Sequence, residues 1–146
     1  MFSSVLVVCV GNICRSPAGE RLLRAKLPGM RIESAGLAAM VGEPASRTMV
    51  EVAAEHGISL DGHVSRQFTA ALGGDFDLIL TMEAGHRREI ASNFPHLTGK
   101  TLLFGKWLPA TDIPDPYRLS RSFYEAVYTQ IEASSEEWAR RLRRSA

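Results

Sequence analysis

The stretch Val5-Leu-Val-Val-Cys9-Val10-Gly11-Asn12-Ile13-Cys14-Arg15-Ser16-Pro17 constrains this chain more than any other. Residues 5–10 are apolar and read as a buried strand. Gly11 and Asn12 tolerate unusual backbone angles and read as a tight loop. Ser16 is expected to cap a helix and Pro17 to be its first residue. A strand, a tight loop and a helix N-terminus make an anion cradle, because N–H groups converge there and the helix dipole favours negative charge. A cysteine after an apolar strand is usually a small buried hydrophobe. Here Cys9 opens the cradle and Arg15 closes it, and loop dipoles, guanidinium and helix N-terminus together favour a thiolate.

The rest of the chain alternates strand and helix. Further strands are expected at residues 30–34, 77–81 and 101–104, with Ala35 and Gly36 opening a loop that runs to Pro44. Helices are expected at 17–27, at 46–56 with Ser46 as cap, at 84–93 and at 121–143, with one helical turn at 69–72. Leu22, Leu23 and Leu27 face the core on the first helix. On the last, Tyr124, Tyr128, Ile131, Trp138 and Leu142 form one apolar stripe. Such alternation predicts an α/β fold: a three-layer α/β/α arrangement around a central four-stranded parallel sheet, with helices on both faces. Sites in such folds lie at the carboxyl ends of the strands, where the Cys9 loop falls.

A chain of 146 residues is expected to form one domain over residues 1–146. A net charge of +1 gives no global attraction to nucleic acid or membrane. The basic cluster Arg140, Arg141, Arg143 and Arg144 reads as a solvated last helical turn. No signal peptide and no stretch long enough to span a membrane is apparent, so neither nucleic-acid binding nor membrane insertion is expected. Two cysteines five positions apart suit neither a secreted disulfide framework nor a zinc site. A reducing, cytoplasmic location is expected, with no metal. Cys14, in the same loop as Cys9, is either a packed inert thiol or a partner for a reversible disulfide.

A nucleophilic thiolate aimed at an oxyanion site suits phosphoryl transfer. Arg15 can grip two non-bridging oxygens, and the loop N–H groups stabilise equatorial charge. The leaving oxygen needs an acid. Asp115, in Ile113-Pro114-Asp115-Pro116-Tyr117, is the candidate, since flanking prolines stiffen its loop. Asp beside Pro is also common in turns, and nearby Asp112 reads as a plain loop carboxylate. Gly19, in the first helical turn, has no functional account from sequence.

These residues resemble the low-molecular-weight protein-tyrosine phosphatases over nearly the whole chain. Cys-x5-Arg-Ser near the N-terminus, Glu33-Ser34-Ala35-Gly36, Gly62-His63-Val-Ser-Arg66-Gln67, Asp77-Leu-Ile-Leu-Thr-Met82-Glu83 and Asp115-Pro116-Tyr117 come in the family's order. Leu103-Phe104-Gly105-x-Trp107 and Asp115-Pro-Tyr-Arg-x-Ser are similar to bacterial members that act on tyrosine autokinases of capsule and exopolysaccharide assembly. The resemblance implies a phosphate-binding loop spanning Cys9, Val10, Gly11, Asn12, Ile13, Cys14, Arg15 and Ser16. Within it, Cys9 acts as nucleophile, Arg15 as phosphate ligand and Asp115 as acid, then base. It implies that Ser16 hydrogen-bonds the thiolate and that Asn12 forms a supporting network with Ser34 and His63. It implies a substrate slot of Val10, Met40 and Tyr117, no cofactor, and a monomer whose partner is a phosphotyrosine protein, a tyrosine autokinase. Met40 and Arg118 stand where eukaryotic members carry aromatic residues. Two other readings use similar loops. A thiol-coupled arsenate reductase needs cysteines beyond Cys14, and a phosphocysteine phosphocarrier lacks the arginine and the acid.

Overall fold

Strand β1, Ser4–Cys9, is buried at every position and pairs in parallel with strands on both sides. Both of its faces are covered, as expected of a central strand in an α/β sheet. The computed structural model describes residues 2–145 and the side chains of residues 2–143, so Met1, Ala146 and the Arg144 side chain lie outside it. The remaining strands are β2 (Arg31–Gly36), β3 (Leu78–Thr81) and β4 (Thr101–Leu103), in the parallel order β2-β1-β3-β4.

Alternation along β1 divides the core. Val5, Val7 and Cys9 face one layer with Leu22, Leu23, Met49, Val52, Tyr128 and Ile131. These come from α1 (Arg15–Lys26), α2 (Arg47–Glu55) and α5 (Arg121–Ser145). Leu6 and Val8 face the opposite layer with Phe68, Phe76, Ile79, Ile90 and Leu97. That layer contains α4 (Ala84–Asn93) and the 3-10 segment Pro95–Lys100, with short α3 (Ala70–Gly74) nearby. The α5 stripe of Tyr124, Tyr128, Ile131, Trp138 and Leu142 is buried throughout, and Trp138 Nε1 donates to the Phe104 carbonyl at 2.8 Å. At the end of α5, Arg140 and Arg141 pair with Glu137, as befits a solvated turn.

Several boundaries differ from expectation, each for a local reason. Ser16 does not cap α1. The helix begins at Arg15 with Cys14 at the cap position, and the Ser16 side chain turns to the Cys9 thiol. Ser46 sits at the cap of α2 but makes no capping bond, its hydroxyl lying 3.2 Å from that of Tyr124. Ala35 and Gly36 belong to β2, paired with Val8 and Cys9, rather than opening a loop. Val10 and Phe104 fall just outside β1 and β4.

Two glycines set how closely elements approach. A Cβ on Gly19 would lie 3.1 Å from Phe104 and 3.2 Å from Val7, so this residue lets α1 settle on the sheet. A Cβ on Gly36 would lie 2.3 Å from the Val10 carbonyl oxygen, a backbone atom that cannot swing aside. Gly36→Ala should therefore destabilise the fold by about 1–3 kcal/mol, read by denaturant unfolding. An unchanged midpoint would show that the loop above Gly36 moves freely.

Candidate active site

The loop after β1 turns five consecutive carbonyls outward. Cys9 O accepts from Leu37 N–H (2.9 Å), Val10 O from Ala38 (3.0 Å), Gly11 O from Met40 (3.0 Å) and Ile13 O from Ser46 (2.7 Å). Asn12 O accepts from His63 Nε2 (2.6 Å) and Ser65 Oγ (2.7 Å). A trans peptide points its N–H opposite its C=O. The N–H groups of Val10, Gly11, Asn12, Ile13 and Cys14 therefore face the concave side, where α1 begins. Such a nest binds an oxyanion.

Asn12 makes the bend possible. It holds φ 60°, in the left-handed region that asparagine tolerates better than most residues. Each of its side-chain polar atoms is engaged: Nδ2 donates to Ser16 Oγ (2.8 Å) and Ser34 Oγ (3.1 Å), and Oδ1 accepts from Arg66 N–H (3.0 Å). Ser34 Oγ donates in turn to Glu20, a carboxylate that can only accept, at 2.8 Å. That fixes the direction of the whole chain. Ser34 and Ser16 both accept from Asn12, which leaves the Ser16 hydroxyl proton for Cys9 Sγ, 2.9 Å away. Glu20, Ser34, His63 and Arg66 of this network also line a surface cleft of about 670 Å³.

The concave side opens into a separate cavity of about 180 Å³ lined by Cys9, Val10, Gly11, Ile13, Cys14, Arg15, Ala38, Met40, Asp115 and Tyr117. Of the residues singled out from sequence, Asn12, Ser16, Ser34 and His63 form the hydrogen-bonded network, and the rest line this cavity. Arg15 is 1% exposed. Its Nη1 donates to Glu83 Oε2 (2.5 Å) and to the Ile113 carbonyl (2.8 Å), while Nη2 lies 3.8 Å from Asp115 Oδ2. Nε and Nη2 remain for an anion. Asp115 Oδ1 accepts from Tyr117 N–H at 3.0 Å, a local turn that ties the carboxylate to the Tyr117 backbone. Asp112 is more than a loop carboxylate, because it caps α4 by accepting from Ala84 N–H at 2.8 Å. Ile113 N–H donates to Met82 O (2.8 Å), so the Asp115 loop is tied down just beyond β3.

The Cys14 thiol lies 3.7 Å from the Tyr124 hydroxyl. Burial pushes its thiol up to about 11, so it stays protonated at neutral pH. Glu20, Ser65, Arg66 and Glu83 escaped sequence reasoning as site residues. Arg66 and Glu83 stood in motifs without a role, and only tertiary contact brings them to Asn12 and Arg15. Among the described residues no cluster of three or more His, Cys, Asp or Glu could hold a metal, and no helix is long and apolar enough to cross a membrane.

The chain belongs to the low molecular weight phosphotyrosine protein phosphatase family, whose profile matches residues 4–146. It is 52% identical to the low molecular weight protein-tyrosine-phosphatase Etp of Escherichia coli K12, over 98% of this chain and 97% of that protein. The solved structure of tyrosine phosphatase Wzb from Escherichia coli K30 with sulphate superposes with a TM-score of 0.96 at 48% identity, covering 97% and 99% of the two chains. Wzb of Vibrio vulnificus in complex with benzylphosphonate gives 0.94 at 44% identity, covering 97% and 99%.

The network also carries a pH dependence. Burial holds His63 below the ordinary histidine range, outweighing its bond to Asn12 O. Burial and then the Arg15 charge do the same to His86, whose Nδ1 is buried with no partner among the described residues and whose Nε2 lies 3.6 Å from Glu83. Both rings fold neutral, whereas the unfolded chain takes up protons near about pH 6.5. Stability is therefore lost as pH falls through that value and levels off below the folded-state pKa values. The melting temperature should drop between about pH 7.5 and about pH 5.5, less steeply for His86→Gln. Parallel profiles for the two proteins would remove His86 from this account.

Proposed function

We propose that this chain hydrolyses phosphotyrosine in proteins through a phosphocysteine intermediate. Its partner is a bacterial tyrosine autokinase of exopolysaccharide or capsule assembly. The observation that carries the reading is the shared cavity, in which a thiol, an inward-facing row of N–H groups, a buried guanidinium and a carboxylate meet. The names of the Escherichia coli relatives and the benzylphosphonate held by the Vibrio vulnificus relative support a phosphorylated phenol as substrate. The autokinase partner rests on the bacterial motifs around Trp107 and Asp115.

In the first step the Cys9 sulfur forms a bond to phosphorus as the bond to the tyrosine oxygen breaks. Asp115 gives its proton to that oxygen. Charge on the equatorial oxygens meets the N–H groups of residues 10–14 and the free edge of Arg15, held in place by Glu83 and Ile113. In the second step water attacks phosphorus, Asp115 takes a proton from it, and the S–P bond breaks. Ser16, its proton directed at Cys9 by Glu20, Ser34 and Asn12, stabilises the departing thiolate. Val10, Met40 and Tyr117 form the walls for the phenyl ring.

The rival chemistries are separable. An arsenate reductase relay needs thiols beyond Cys14, and the sequence contains two cysteines, Cys9 and Cys14. A phosphocarrier would show no steady turnover. Asp115→Ala should slow hydrolysis of phosphotyrosine by roughly 10²–10⁴-fold, the range of general-acid contributions. It should slow p-nitrophenyl phosphate, with its better leaving group, much less. Equal slowing of the two substrates would contradict the assignment of Asp115 as acid.

A further inference from the structure

Arg118 combines a costly backbone with an unspent charge. Among the described residues only two non-glycine residues have positive φ: Asn12 in the phosphate loop, and Arg118 at φ 64°. Arginine gains nothing locally from the left-handed region. For Asn12 the angle is repaid by hydrogen bonds to its carbonyl and side chain. Among the described residues the Arg118 side chain makes no hydrogen bond or ion pair. Its guanidinium is exposed and lies 5.2 Å from the centroid of the Tyr117 ring, the wall of the substrate slot.

This distinguishes Arg118 from most surface guanidiniums of the molecule. Arg21 and Arg24 pair with Glu20, Arg31 and Arg66 with Glu33, and Arg121 with Glu51, Glu55 and Glu125. The turn that carries Arg118 is also fixed relative to the chemistry. Asp115 Oδ1 accepts from Tyr117 N–H at 3.0 Å, and Leu119 N–H donates to the Pro116 carbonyl at 2.9 Å. Acid, ring and cation thus stand in series on one tight turn. Val10 and Met40 add apolar lining to the same slot, and Arg118, outside the lining itself, flanks the Tyr117 wall.

We propose that Arg118 is a specificity-determining residue that recognises an anionic group, a carboxylate or a phosphate, on a residue flanking the phosphotyrosine. The proposal rests on the phosphatase reading above. Once the phenyl ring lies against Tyr117, the peptide leaving the slot on that side meets the guanidinium. Arginine offers bidentate donors to either anion.

The test measures kcat/KM on phosphotyrosine peptides that differ only in their flanking residues: glutamate, phosphoserine, alanine or lysine. The expected result is a preference for glutamate or phosphoserine over alanine of about two- to fivefold, the size of an exposed ion pair. It should reside in KM and weaken with salt. Whichever of glutamate or phosphoserine ranks higher tells which anion the site reads. Arg118→Ala should bring the ratio near one, Arg118→Glu should favour lysine, and Arg118→Lys should keep most of the preference. Arg118→Gly removes the charge while suiting the positive φ, so a loss of preference there cannot be blamed on misfolding. Preference retained by both the alanine and glycine variants, or equal loss on every peptide, overturns the role of Arg118. Wild-type protein that turns over none of the peptides overturns the phosphatase reading itself.

Discussion

Everything at the site depends on the peptide planes between Cys9 and Cys14. Five carbonyls in succession are drawn outward by donors from the 37–40 segment, Ser46, His63 and Ser65, and the N–H groups have no choice but to face inward. Those donors come from segments far apart in sequence. The cradle is therefore a product of the whole fold rather than of the loop's own residues. Its closeness to β2 explains why Gly36 has no side chain, and its reversal at Asn12 explains the one left-handed residue in the loop.

Two carboxylates, Glu20 buried and Glu83 half-buried, organise the charged parts of the site. Glu20 sets the polarity of the hydrogen bonds running through Ser34, Asn12 and Ser16 to the thiol. Glu83 takes one arm of Arg15, with the Ile113 carbonyl beside it, so the guanidinium is already oriented before an anion arrives. Removing either partner from a buried polar group costs more than the bond itself contributes, because the survivor stays desolvated. An oriented, pre-paid arrangement of dipoles is what stabilises a phosphoryl transition state.

Much of this was legible in the sequence. Residues 5–10 read as a buried strand because all six are apolar, and the alternation of strand and helix implied parallel pairing. Cys9, Arg15 and Asp115 were readable because their chemistry is specific and their spacing is local or motif-bound. What stayed hidden is tertiary. Ser16 looked like a helix cap because Ser before Pro usually is one, and the Cys9 thiol and Asn12 claim its hydroxyl in the fold. Ala35 and Gly36 looked like a loop because small residues punctuate chains, yet here smallness serves close packing under Val10. Glu20 lies one helical turn beyond Ser16 and reads as an ordinary surface glutamate until β2 brings Ser34 to it. The work of Asp112 as a cap for α4 spans 28 residues and leaves no local trace.

The central claim is that backbone N–H groups, aimed inward by outward-held carbonyls, bind the phosphoryl oxygens together with Arg15. Titration of ¹⁵N-labelled protein with phosphate or vanadate tests it directly, through the amide resonances of Val10, Gly11, Asn12, Ile13 and Cys14. The account predicts that these amide protons move downfield together, with the same saturation curve as the Arg15 side-chain signals. A titration that shifts the Arg15 signals while the five amides stay in place would contradict it.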